Sequence, residues 1–324
     1  MLLAGDVGGT KTLLGLFERN VPRPRPIVTH AYATNAFSSF TEILDAFARD
    51  VHQPFALDAA AIGVAGPVVD NAAQLTNVAW DISAAAVTAR FGTTQVCLLN
   101  DVEVMGHSVE VLDDDEVTIL QEGIARRDGN AAIIAAGTGL GVTWLHRIDG
   151  RVKPIPSEAG HADFAARTDR ELELVRMLRE RYGRASVEHV LSGPGLVNLH
   201  RFTHRGGECD MLDGVPEHDA PARISQAALA GRCQGCVEAL RMFVSAYGAE
   251  AGNLALRGVT LAGVYVGGGI APRILPVLRT GLFIETFRDK GAMAHLVAKI
   301  PVKVILNPDA GLLGAAVHAQ SLCD

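Results

Sequence analysis

Twice in this chain, at widely separated places, an apolar run stops at a glycine turn and a second apolar run returns from it. Residues 1–7 stop at Gly8-Gly9 and residues 12–17 follow; residues 131–136 stop at Gly137-Thr138-Gly139 and residues 141–146 follow. A short apolar run bounded by such a turn reads as a buried strand, and the pair as a hairpin. A third run, residues 259–266, leads into Gly267-Gly268-Gly269. Helical patterns lie between these units. Phe40, Ile43, Leu44 and Phe47 recur at i, i+3, i+4 and i+7; Leu172 to Tyr182 and Val237 to Leu254 carry longer stripes. Further apolar runs at residues 27–34, 59–64, 96–99 and 302–306 complete the strands, and residues 311–320 read as a closing helix. Strands that alternate with helices, with one hairpin unit repeated, predict an α/β fold with two related halves. There is no short-period repeat, which excludes a solenoid or propeller.

Composition narrows the function classes. Apolar residues make up 48% and charged residues 20%, as in a globular protein with a filled core. The net charge of −7 and the lack of a basic stripe argue against nucleic acid as a partner. No apolar stretch is long enough to span a membrane, and the first apolar run is cut at Gly5-Asp6, so neither a membrane partner nor a secretory leader is expected. Five cysteines, an odd number, fit free thiols in a reducing compartment, and the expected setting is cytoplasmic.

The turns carry the chemistry. Glycines at the mouth of a strand let backbone N–H groups face an anion without interference from Cβ. Asp6 stands just before the first turn and Thr10 just after it: a carboxylate there suits Mg²⁺ held through water, and a hydroxyl suits a phosphate oxygen. The plain alternative is two tight hairpins. The pairing of two such turns, each with a threonine, favours a phosphate cradle. GxxxxGK[ST] does not occur, and no glycine cluster opens a helix as a dinucleotide fingerprint requires.

Six motifs occur in the order of one family: Asp6-Val7-Gly8-Gly9-Thr10, Leu99-Asn100-Asp101, Ala136-Gly137-Thr138-Gly139-Leu140-Gly141, Ser157-Glu158-Ala159-Gly160-His161, Leu191-Ser192-Gly193-Pro194-Gly195 and Gly267-Gly268-Gly269-Ile270. With Ala310-Gly311-Leu312-Leu313-Gly314 near the end, the chain resembles the bacterial glucokinases, relatives of the repressor–kinase–open-reading-frame (ROK) sugar kinases. The resemblance implies an actin-like ATPase (ribonuclease H-like) fold, two domains around a cleft, and a homodimer. On this reading residues 1–107 with 305–324 form a small domain and residues 108–304 a large one. It implies transfer of the γ-phosphate of MgATP to the 6-hydroxyl of glucose, with ATP and Mg²⁺ as cofactors. The turn Asp6, Gly8, Gly9, Thr10 and the turn Gly137, Thr138, Gly139 would take the phosphates, with Mg²⁺ near Asp6. Gly267, Gly268 and Gly269 would lie by the adenosine. Asn77, Asn100, Asp101, Glu158, His161 and Glu188 would bind the sugar, with Asp101 as the base. Lys11 departs from the glucokinase pattern towards the ROK one.

These assignments agree with what the side chains can do. Each buried sugar hydroxyl left unpaired costs about 1–3 kcal/mol, and Asn, carboxylates and His supply the directed partners. Each assignment has a plainer counterpart. Asn100-Asp101 also suits a helix N-cap, a role compatible with catalysis. Glu158 and His161 also suit a turn around Gly160 or a metal. Trp80 suits a sugar-facing loop or a core equally. Cys233-x-x-Cys236 has no second cysteine pair at zinc-finger spacing and reads as inert, and His107, His200 and His204 read as surface or interface residues. Two rivals remain: a kinase of another hexose, and a non-catalytic sugar- or ATP-binding regulator.

Overall fold

A computed structural model describes all residues except 76–79, 206, 208 and 324. Asn77, one of the expected sugar ligands, therefore lies outside the described residues. The chain divides into two compact units: Met1–Asp114 with Arg151–Pro156 and Asn307–Asp324, and Asp115–Gly150 with Ser157–Leu306.

The first unit contains β1 (Leu2–Val7), β2 (Lys11–Glu18), β3 (Arg25–Ala33), α1 (Phe40–Asp50), β4 (Ala59–Val64), β5 (Val68–Val69), β6 (Ala72–Gln74), β7 (Asp81–Ser83), α2 (Ala84–Phe91), β8 (Val96–Asn100) and α3 (Asp101–Ser108). Its main sheet runs β3-β2-β1-β4-β8, with β1 antiparallel to β2 and parallel to β4; β5, β6 and β7 form a small sheet of their own. β1 and β4 are apolar on both faces because both faces are covered. Leu3, Val7, Ala60, Ile62 and Val64 point to the core that includes Phe40, Ile43, Leu44 and Phe47 of α1. Leu2, Ala4, Ala59 and Ala61 point to the opposite core, which includes Val104 of α3. α1 starts where Ser39 caps it by accepting the Glu42 N–H, and it buries the stripe that its periodicity predicts. Trp80 is 5% exposed and belongs to the first of these cores, so its role is packing.

The second unit holds β9 (Val117–Gln121), β10 (Ala131–Ala136), β11 (Leu140–Ile148) and the end of β12 (Arg151–Ser157). The helices α4 (Asp169–Tyr182), α5 (Gly193–Thr203), α6 (Ala220–Leu229) and α7 (Gln234–Gly258) follow. Then come β13 (Gly263–Gly267), the short α8 (Leu275–Leu278), α9 (Leu282–Arg288), α10 (Ala294–Val297) and β14 (Val302–Ile305). Five strands pair in the order β11-β10-β13-β14-β9. β10 is antiparallel to β11 and parallel to β13, and β13 is parallel to β14. This repeats the arrangement of β2, β1, β4 and β8, so the two halves expected from the repeated hairpin share one topology. α11 (Ala310–Ser321) returns to the first unit, where Leu312, Ala315, Ala316 and Ala319 pack on the small side chains of β1 and β4.

One strand starts later than its apolar run predicts. α7 continues through Gly258, and Val259 caps it in a left-handed conformation (φ 45°), so β13 begins only at Gly263. Among the described residues, no helix is long and apolar enough to cross a membrane.

Candidate active site

The three glycine turns stand at the carboxyl ends of β1, β10 and β13 and Asn100-Asp101 at that of β8, where α/β sheets open into crevices. In the first unit, β1 delivers Asp6 and the turn Gly8-Gly9-Thr10. The turn is held from below: the Gly8 N–H bonds the Lys11 carbonyl at 3.0 Å, and Thr34 Oγ1 donates to the Gly8 carbonyl at 2.8 Å. Thr34 Oγ1 also pairs with Thr12 Oγ1 inside the unit, at 2.9 Å. Thr10 and Lys11 themselves are exposed.

β8 delivers Asn100 and Asp101, and the capping reading of Asn100 holds. Its Oδ1 accepts the N–H groups of Val102 and Glu103 at 3.0 and 3.3 Å, while Glu103 Oε2 accepts the Asn100 N–H at 3.2 Å. This is a complete capping box at the start of α3. Asn100 Nδ2 donates to the Gly66 carbonyl at 3.2 Å, tying the end of β8 to the loop after β4. Asp101 takes the first position of α3, and its Oδ1 accepts the Val102 N–H at 2.9 Å.

A third carboxylate joins this unit, one that the motifs do not announce. The Asp6 carboxyl is pushed up to about 7, first by burial and then by the negative charges of Asp101 and Asp309, with Lys11 pulling it down. Asp309 precedes α11, and the first turn of that helix lies against Asp6: a Cβ on Gly311 would stand 2.8 Å from Asp6 Oδ2. The sequence signal was the Ala310-Gly311 motif itself, whose preceding acidic residue is brought to Asp6 only by the packing of α11. Carboxylates of this kind are hard oxygen donors and fit Mg²⁺.

In the second unit, Gly137-Thr138-Gly139 joins β10 to β11. The Gly137 N–H bonds the Gly139 carbonyl at 2.9 Å, and the Gly137 carbonyl accepts the Gly193 N–H at 2.8 Å. Gly193 opens α5, which Ser192 caps; Ser192 Oγ accepts the Gly195 N–H at 2.9 Å and donates to the Glu188 carbonyl at 2.8 Å. The Leu191-Ser192-Gly193 segment thus locks the glycine turn to the backbone of Glu188. The Glu188 side chain closes the same link, since its Oε2 accepts the Leu140 N–H at 2.8 Å.

Its other oxygen faces the sugar candidates. Glu188 Oε1 lies 3.9 Å from His161 Nδ1, and Glu158 Oε2 lies 3.8 Å from His161 Nε2. Glu158 and His161 are well exposed and Glu188 is partly buried. Three side chains separated in sequence therefore present acceptors and a two-way imidazole on one side of the β10–β11 turn.

Gly267, Gly268 and Gly269 end β13. Gly268 has φ 81°, and a Cβ there would run into the Ala136 carbonyl, so only glycine fits. The fully buried Tyr247 of α7 holds this corner: its hydroxyl accepts the Ala136 N–H at 3.2 Å and lies 3.1 and 3.3 Å from the Ile134 and Gly267 carbonyls. Its sequence position suggests only an apolar stripe, whereas its hydroxyl ties the ends of β10 and β13 together. His107 and His200 depart from the surface placement expected of them. The His107 ring lies 4.5 Å from that of His318, tilted by 42°, with burial lowering its pKa to about 3, and His200 is 7% exposed.

A family model described as Glucokinase matches residues 3–322. A curated glucokinase of Synechocystis sp. is 37% identical over 344 residues, covering 98% of this chain and 97% of that protein. One from Psychromonas ingrahamii is 35% identical over 318 residues, covering 98% and 96%. Among solved structures, a glucokinase from an Antarctic psychrotroph superposes with a TM-score of 0.85 at 28% identity, covering 99% of this chain and 98% of that one. The α/β fold is accordingly of the actin-like ATPase type.

Proposed function

From the chain's membership of the glucokinase family, we propose that it transfers the γ-phosphoryl group of MgATP to the 6-hydroxyl of glucose, giving glucose 6-phosphate and ADP. The observation that carries this reading is the group of carboxylates around the first glycine turn. Asp6 is held protonated to near neutrality by burial and by Asp101 and Asp309, an arrangement that a cation relieves.

The residues have distinct tasks. The turns Gly8-Gly9-Thr10 and Gly137-Thr138-Gly139 cradle phosphates with backbone N–H groups and threonine hydroxyls, and Gly267 to Gly269 admit the adenosine closely. Asp6 and Asp309 would hold Mg²⁺, directly or through water; when bound, the ion neutralises charge on the phosphate oxygens. Glu158, His161 and Glu188 take sugar hydroxyls, and Asn100, Asp101 and Asn77 are assigned to the same substrate. Asp101 accepts the 6-hydroxyl proton as that oxygen bonds to the γ-phosphorus and the bond to the β-phosphate oxygen breaks. Because Asn100 spends Oδ1 on its cap and one Nδ2 proton on the Gly66 carbonyl, it has one N–H to offer the sugar.

We also infer a cytoplasmic homodimer acting at the entry to glycolysis, in keeping with five cysteines that form no disulfide among the described residues. The test is ADP release with MgATP across a hexose panel, run beside Asp101→Asn. Glucose-dependent release that the substitution abolishes supports the reading. Release with a different hexose replaces the substrate, and none with any hexose removes the kinase.

A further inference from the structure

Beyond the kinase residues, the second unit gathers a set of soft ligands that its sequence scatters over 37 positions. α5 carries His200 in its last turn, and His204 follows at the helix C-cap. Cys209 lies in the connection beyond. Cys233 is the N-cap residue of α7, with Cys236 in that helix's first turn. The donor atoms of His200, His204, Cys209 and Cys236 all lie within 4.8 Å of one another. Cys233 completes the group: its Sγ is 3.1 Å from His204 Nε2 and 3.8 Å from Cys209 Sγ, and Cys209 Sγ is 3.9 Å from Cys236 Sγ.

Those separations have a chemical meaning. With Zn–S bonds of about 2.3 Å, two thiolates on a tetrahedral zinc ion stand about 3.8 Å apart. The sulfurs are therefore spaced as the edges of such a tetrahedron, and far beyond disulfide bonding distance. The His204 Nδ1 lies 2.8 Å from the His200 carbonyl; donating there leaves Nε2 as the lone-pair nitrogen facing the sulfurs. A backbone carbonyl that fixes the tautomer in this way is the usual outer partner of a metal-bound histidine. Gly235 makes room for the ring, since a Cβ at that position would collide with the His204 imidazole. His200 stacks on His204 with ring centroids 3.9 Å apart, and its buried Nε2 has no hydrogen-bond partner. An unpaired nitrogen in a buried ring is costly unless something outside the side-chain set answers it. Finally, α7 is 25 residues long, and the partial positive charge of its N-terminus favours thiolate at its N-cap residue, Cys233.

We propose that the second unit binds one Zn²⁺ ion through the thiolates of Cys209, Cys233 and Cys236 and one imidazole of the stacked His200–His204 pair. All four positions are taken by protein, so the site is a closed, structural one. Binding releases the thiol protons to solvent and forms four coordinate bonds, with no change in oxidation state. The ion pins the end of α5 to the start of α7, and α5 is the helix whose first residue, Gly193, holds the Gly137 carbonyl. It therefore fastens the far end of a helix that supports the second glycine turn. Cys233-x-x-Cys236 looked inert in the sequence because its third sulfur and its imidazole come from another helix and the loop after it.

The test uses the full-length protein, reduced and desalted, with metal content measured by mass spectrometry. About one zinc per chain is expected after equilibration with Zn²⁺ and gel filtration, falling at least about tenfold in Cys209→Ser and unchanged in Cys97→Ser. Replacing zinc by Co²⁺ in the unaltered protein gives a readout independent of any variant's folding. Intense visible bands of tetrahedral cobalt with a near-ultraviolet thiolate charge-transfer band are expected. A wild-type protein that retains no zinc, a weak octahedral cobalt spectrum, or zinc retained undiminished in Cys209→Ser would each overturn the proposal.

Discussion

Glu188 and Leu140 are joined by a 2.8 Å hydrogen bond in which the carboxylate accepts the backbone N–H just past the second glycine turn. The same carboxylate turns its other oxygen to His161. One side chain thus serves the turn assigned to phosphate and the group assigned to sugar. A hydrogen bond to a charged group contributes about 1.5–3 kcal/mol, and each 1.4 kcal/mol is a factor of about ten. Glu188→Ala is expected to lower kcat/KM for glucose by about 10–100-fold. Glu188→Gln keeps an acceptor for Leu140 and should lose less, mainly through a raised KM. Steady-state kinetics of both variants check this; equal losses in the two would show that the Leu140 bond carries no weight.

Asn100 and Asp101 are neighbours with separable tasks. Asn100→Ala removes the acceptor of two N–H groups and should destabilise the first unit by about 0.5–2 kcal/mol, while Asn100→Asp restores the cap. Asp101→Asn should leave the thermal midpoint nearly unchanged and lower kcat by about 10²–10⁴-fold with little change in glucose KM. Denaturation curves and kinetics on the same preparations separate the two; a large stability loss in Asp101→Asn would mean its part is structural.

Asp6 makes a pH prediction. Its folded-state pKa of about 7 lies above the ordinary 3.8, so between those values the folded protein binds more protons than the unfolded chain. The stability it affects therefore falls as pH rises from about 4 to about 7 and stays low above that. Relative to wild type, Asp6→Asn should match it near pH 4 and be more stable above pH 7, by an amount on the order of a few kcal/mol in the presence of EDTA. Excess Mg²⁺ should close that gap by stabilising wild type alone. Parallel stability profiles across this range would contradict the raised pKa.

Two adjacent glycines after β13 should respond differently. Gly268→Ala forces an alanine to φ 81° and drives its Cβ into the Ala136 carbonyl, whereas a Cβ on Gly269 meets open space. The first substitution should cost at least about 1–3 kcal/mol and raise the KM for ATP; the second should change stability by less than about 1 kcal/mol. Calorimetry on the pair decides it, and equal midpoints would contradict the packing described at this corner.

Much of this arrangement was legible from the chain itself. The two hairpins, α1 and the strands β4 and β10 follow from apolar runs and periodicity, because each is a local pattern that its surroundings reinforce. What escaped depends on contacts that no local pattern encodes. Val259 looks like a strand residue because it is β-branched, yet tertiary packing carries α7 past it and forces it into a left-handed cap. Tyr247 looks like one more member of a helix stripe, and its hydroxyl acquires a purpose only where β10 and β13 end side by side. Asp309 gains its meaning from Asp6, some three hundred residues away in the chain. The candidate ligands of the proposed zinc site come from two helices and a connection, and a spacing rule sees only two of them.

The most direct test of the central claim identifies the product. Incubation of the protein with MgATP and glucose, followed by ³¹P NMR of the mixture, should show a phosphomonoester whose phosphorus couples to the two C6 protons. It should appear in step with ADP and be absent with Asp101→Asn. A mixture in which ATP is consumed without a sugar phosphate, or in which phosphate resides on another hydroxyl, would contradict the account.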